Sequence, residues 1–123
     1  MAADQNELAL RYLLQLSSDI RSAILLSESG ELLASVPSRA DADTAAAASE
    51  LVRTALELRD GESEPIELDV LCEGESVHLT ARDGLAIVCV ADRLALPGIV
   101  LHEMRSVLAD LEVPDRQVGE AGA

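Results

Sequence analysis

Leu85-Ala86-Ile87-Val88-Cys89-Val90-Ala91 is apolar at every position, and this stretch decides the fold. A strand with one wet face alternates apolar and polar residues, so an unbroken apolar run of this length must be buried on both faces. It therefore belongs at the centre of a sheet that carries helices on each side. Working backward, Asp83-Gly84 is a tight-hairpin signal, and before it Val77, Leu79 and Ala81 alternate with His78, Thr80 and Arg82. The turn Glu73-Gly74-Glu75 precedes that strand. Ahead of the turn, Ile66, Leu68, Val70 and Cys72 alternate with Glu67, Asp69 and Glu73. Three strands joined by such short turns form an antiparallel meander. Working forward, Leu96-Pro97 opens a helix, since proline suits the first turn. Ile99, Val100, Met104, Val107, Leu108 and Leu111 line its core face. Pro114 is expected to end this helix, leaving residues 114–123 as a disordered tail and 4–113 as the domain.

The N-terminal half repeats the logic. Ala23, Ile24, Leu25 and Leu26 form an apolar strand, residues 27–30 a turn, and residues 31–35 a second strand, with Gly30 the natural position for positive φ. Pro37 closes the hairpin. Asp41 or Asp43 is placed to cap the helix that follows, over residues 44–59. Around that helix Ala47, Leu51, Ala55 and Leu58 share one face, while Ala48, Val52 and Leu56 lie beside it on a second. The apolar arc covers about half the circumference, wider than the roughly 100° one packing surface needs. Ala48, Val52 and Leu56 then either complete the core or let a second helix approach closely, as in a symmetric dimer. The strand that follows carries Glu67 and Asp69 on its acidic outer face, and if it is an edge, pairing with its twin would cover it. At the start of the chain, Asp4 and Glu7 make a capping-box-like beginning for a helix carrying Leu8, Tyr12, Leu13 and Leu16, with Leu10 and Leu14 as a second stripe. This helix is expected to touch both its own sheet and something else. The element order α-β-β-α-β-β-β-α gives an α+β sheet with helices on both faces.

Composition narrows function. The chain has 123 residues, one domain's worth, and 49% of them are hydrophobic, enough for a core. Asp and Glu number 23 against 9 basic residues, all arginine, so the formal net charge of −14 repels nucleic acid and anionic membranes. Tyr12 is the only aromatic residue, which argues against stacking platforms and aromatic-lined ligand pockets. No apolar run is long enough for a membrane span, and a cytoplasmic protein with reduced thiols is expected.

Catalytic patterns are not found. Without lysine there is no phosphate-binding loop of the Gly-rich type. His78 and His102 stand alone in the sequence, are expected at the surface or its boundary, and imply no metal site or cofactor. Cys72 and Cys89 both fall in strand patterns and are expected to be buried free thiols, two strands apart. The acidic residues 60–64 read as a solvated run.

The hairpin Ala23-Ile24-Leu25-Leu26-Ser27-Glu28-Ser29-Gly30-Glu31-Leu32-Leu33-Ala34-Ser35, the Ala/Leu-rich helix after it, and Arg82-Asp83-Gly84-Leu85-Ala86-Ile87-Val88-Cys89-Val90 before a Leu/Pro-started helix together resemble the roadblock family. Ser29 stands where that family's turn usually carries Asp. The resemblance spans about residues 7–111. It implies a profilin-like or longin-like three-layer sandwich, with the second helix on one face of a five-stranded antiparallel sheet and the first and third on the other. It also implies a homodimer built from the second helix and third strand. By the same resemblance the partner is a Ras-like small GTPase, with a sensor kinase as a further partner, and the chain is a non-catalytic adaptor that modulates the GTPase's nucleotide state or location. Ala45, Ala48, Val52, Leu56, Arg53, Arg59, Glu67 and Asp69 are the expected dimer or partner interface. Arg53 and Arg59 are within reach of a bound partner, where an arginine-finger role is conceivable. The alternative is a small-molecule sensor or signalling module on the same fold.

Overall fold

The computed structural model describes residues 2–58, 66–82 and 84–122, with residues 2–4 and 112–122 described by their backbone alone. The elements are α1 (Ala2–Leu16), β1 (Ile20–Ser27), β2 (Leu32–Val36), α2 (Ala42–Leu58), β3 (Ile66–Leu71), β4 (Glu75–Arg82), β5 (Leu85–Asp92) and α3 (Pro97–Gly122). The five strands form one antiparallel sheet in the order β2-β1-β5-β4-β3. β5 lies at its centre, between β1 and β4, as its unbroken apolar sequence requires.

Period-two alternation sends the side chains of β5 into two separate cores. Ile87, Cys89 and Ala91 pack with Ala23 and Leu25 of β1 beneath Leu10 and Leu13 of α1 and Val100, Met104, Val107 and Leu108 of α3. Ala86 and Val88 pack on the opposite face with Ile24, Leu26, Leu79 and Ala81 beneath Ala48, Val52 and Ala55 of α2. The result is the expected three-layer sandwich, helix α2 on one face and α1 with α3 on the other. Among the described residues, no helix is long and apolar enough to cross a membrane.

Turn chemistry holds the strands in register. Gly30 has φ +98°, and a Cβ there would run into Ser49 Oγ of α2. The two central hairpin turns grip each other: Glu28 N donates to Gly84 O at 3.0 Å and Gly84 N to Glu28 Oε2 at 2.9 Å. Asp41 caps α2, its Oδ1 accepting from Thr44 N at 2.7 Å, so the helix starts at Ala42 rather than at residue 44.

Two expectations meet corrections here. α1 begins at Ala2, so Asp4 lies inside its first turn and is not its cap. On this helix Leu10 and Leu13 are buried while Leu8, Tyr12 and Leu16 are 64%, 52% and 39% exposed. The backbone of α3 stays helical past Pro114 to Gly122. A proline inside a helix removes one hydrogen bond and crowds the preceding turn, which bends a helix more readily than it ends one. The connector at residues 60–65 and Asp83 of the last hairpin lie outside the described residues.

Candidate functional site

Helix α2 and strand β3 carry the residues that the sequence nominated, and the structure sorts them into three groups. Val52 is 0% exposed and Ala48 6%, both packed against this chain's own sheet. Of the two uses left open for them, they complete the core. Leu56 and Ala45 are half-buried. The outward face of α2 is instead made of Ala46, Ala47, Glu50, Arg53, Thr54, Glu57 and Leu58. Leu58 is 76% exposed there, although its helical position resembles that of a core residue.

Arg53 is not a free cation. Its guanidinium is paired with Glu50 and with Glu57, the latter at 3.0 Å, one turn to either side on the same helix face. Arg59 lies outside the described residues. Glu67 and Asp69 sit on β3, which is an edge of the sheet. Their side chains turn toward α3, away from the α2 face: Arg105 Nε of α3 donates to Glu67 Oε2 at 3.1 Å, and Asp69 Oδ1 accepts from His78 Nδ1 at 2.6 Å. Neither carboxylate points outward from the edge. On the α2 side of β3, Ile66 and Leu68 are half-buried and Val70 is 39% exposed.

His78 overturns the expectation of a surface histidine. It is 0% exposed, on the β4 face under α3, with Asp69 at Nδ1 and Ser76 Oγ at Nε2, 2.8 Å away. Ser76, itself buried, also donates to Asp92 O at 3.1 Å. An acid, an imidazole and a hydroxyl in this order form the relay that activates a serine nucleophile in hydrolases. Here the hydroxyl is sealed between strands and already engaged by a carbonyl. The chain of bonds works as a polar seam that ties β3 to β4 and to the end of β5. Sequence spacing hid it, because Asp69 and His78 meet only through the β3–β4 register.

The remaining titratable groups divide by burial. His102 is exposed, as expected. Cys89 is buried, and burial pushes its thiol well above the ordinary range, which makes it inert. Cys72 is exposed in the β3–β4 turn, not buried as expected. Among the described residues no group of three or more His, Cys, Asp or Glu is placed to hold a metal ion. Two open clefts of about 220 and 230 Å³ flank the turn after β2.

No protein-family model matches the sequence, and no curated protein matches it. Solved structures match the fold. A Roadblock/LC7 domain from Streptomyces avermitilis superposes with a TM-score of 0.68 at 24% identity, covering 86% of this chain and 97% of that one. Myxococcus xanthus MglB gives 0.73 at 13% identity, over 94% of this chain and 90% of its own. A chain of the complex of LokiProfilin2 with rabbit actin gives 0.57 at 12% identity, over 88% and 96%. The fold is that of roadblock domains and MglB, with profilin as a more distant likeness.

Proposed function

We propose that this chain is a non-catalytic, homodimeric adaptor that binds a Ras-like small GTPase in the cytoplasm and alters its nucleotide state or location. The observation that carries the reading is an unpaired edge strand, β3, beside a helix whose outward face offers small and apolar groups. Ala46, Ala47, Thr54 and Leu58 let a second α2 approach closely, and antiparallel pairing of two β3 edges would extend the sheet across a two-fold axis. The fold shared with MglB and roadblock domains supports a regulator's role. Among the described residues the hydrolase-like relay is interior, which fits action by binding.

Arg53 does not supply an arginine finger in this reading. Two carboxylates hold its guanidinium, and an inserted finger would have to leave both. In this reading the chain acts on a GTPase through binding, altering its nucleotide state or location, and a sensor kinase is a further partner of such a platform.

The test is a pull-down from native extract loaded with a slowly hydrolysed GTP analogue or with GDP, with light scattering on the purified chain alongside. Retention of a Ras-like GTPase in one nucleotide state by a dimer supports the proposal. A monomer at tens of micromolar, or a dimer that retains no GTPase in either state, overturns the corresponding half.

A further inference from the structure

The other edge of the sheet is β2, and its surroundings differ in kind from those of β3. Both clefts lie along it, on opposite faces of the sheet: one toward α1 beside Glu7, Arg11 and Leu33, the other toward α2 beside Ser22, Ile24 and Thr44. They share Ser35, Pro37, Ser38 and Arg39. A strand added to an edge projects alternate side chains to opposite faces, so a peptide lying along β2 would send successive side chains into one cleft and then the other.

The shared turn is held in place. Ser35 Oγ accepts from Ala40 N at 2.7 Å and donates to Ser38 O at 2.9 Å, and Arg11 Nη2 donates to Pro37 O at 3.4 Å. That fixed turn presents Arg39, which is exposed and makes no ion pair among the described residues. Across the α1-side cleft stands Arg11, salt-bridged to Glu7 at 2.7 Å. In a chain of net charge −14, this corner gathers two guanidiniums around one carboxylate. Asp41, on the α2 side, is already engaged as the cap of α2.

The register bounds the site. Leu25 pairs with Ala34 and Leu26 with Leu32, so Leu33 is an extra residue and only positions 34–36 form a regular open edge. We infer that this edge, with Arg39 at its end, is a docking site for a short extended peptide carrying an acidic side chain, held by backbone hydrogen bonds to residues 34–36 and by a carboxylate on Arg39. The site lies at the sheet edge opposite β3 and meets α2 only at Thr44 in its first turn, away from that helix's outward face, so it does not depend on the adaptor reading.

The long-range field of the protein opposes an acidic ligand, but beyond about 8 Å that field is largely screened at physiological ionic strength, while a direct contact on Arg39 is weakened far less. The test is therefore run at about 150 mM salt. The probe is a fluorescein-labelled heptapeptide alternating valine and glutamate, followed by polarisation against the full chain and against Arg39→Glu, whose folding is checked by circular dichroism. Saturable binding is expected in the micromolar to submillimolar range, weakened at least about tenfold by Arg39→Glu, since a charge-assisted contact turns into a repulsion. The same peptide with alternate backbone amides methylated should not bind, and amide exchange should slow at the amides among residues 34–36 that face away from β1. Equal binding of a valine–lysine peptide, equal binding by Arg39→Glu, protection at β3 in place of β2, or no binding up to about 1 mM each overturns the inference.

Discussion

His78 shows how one buried ring can be expensive or cheap depending on which partner is lost. Asp69 is the acceptor that satisfies its Nδ1–H, while Asp69 itself keeps its side chain 37% exposed and can turn to water. Asp69→Ala therefore leaves a buried donor unpaired and should cost about 1–3 kcal/mol, measured by urea denaturation. His78→Leu removes the ring with its needs; Ser76 retains the Asp92 carbonyl and Asp69 retains solvent, so its cost should be the smaller of the two. The reverse order would mean that the ring is held by packing rather than by the seam. Asp41 gives a pH prediction of known sign. The Thr44 backbone amide, then the Thr44 side chain, stabilise its ionised form and lower its pKa below the ordinary carboxylate value. A group whose folded pKa is depressed contributes above its unfolded pKa and loses that contribution as pH falls through the folded value. Asp41→Asn keeps a cap without the charge, so the mutant's stability should fall less steeply than the wild type's below about pH 4 in an acid titration followed by circular dichroism.

At the scale of the element, α2 carries the sharpest contrast. Val52 is closed in by Ile24, Leu79 and Val88 of the sheet beneath it, so Val52→Asp buries a charge and should cost about 3 kcal/mol or more, unfolding the domain rather than splitting a dimer. Leu58→Asp, on the exposed side, should leave the melting temperature of the isolated fold nearly unchanged while shifting light scattering toward monomer. A Leu58→Asp dimer of unchanged mass would move the interface off this face. The sequence made α2 and its excess apolar surface plain, but an alanine-rich helix has no sharp stripe, and periodicity alone could not say which border of the arc turns inward. β5 and β1 were legible for the opposite reason: residues 85–91 of β5 and 23–26 of β1 are apolar without a break, so a slip in register would still bury them. His78 was missed because alternation assigns it to a polar strand face, and only α3 lying over that face makes it interior. For α3 we propose that the domain ends near residue 113, since among the residues whose side chains are described Val107 and Leu108 are the last buried ones and Leu111 packs beside them. Removing residues 114–123 should then change the melting temperature by no more than about 2 °C in calorimetry.

Across the whole molecule, charge and association pull against each other. Each copy carries −14, and the proposed dimer brings two such bodies into contact through a surface where the α2 carboxylates of Glu50 and Glu57 are already matched by Arg53 of the same chain. The apolar groups of α2 and the β3 backbone supply attraction that salt does not weaken, whereas the repulsion between the two bodies reaches about 30 Å at 0.01 M ionic strength and about 8 Å at 0.15 M. Raising salt across that range should therefore tighten the dimer, by about tenfold or more in analytical ultracentrifugation. An interface held by ion pairs, with Arg53 leaving its own helix to meet a partner's carboxylate, would loosen over the same range. The sign of the salt effect thus separates a dimer that buries the α2 stripe and the β3 edge from one that trades the Arg53 pairs across the axis, and it does so without a mutation.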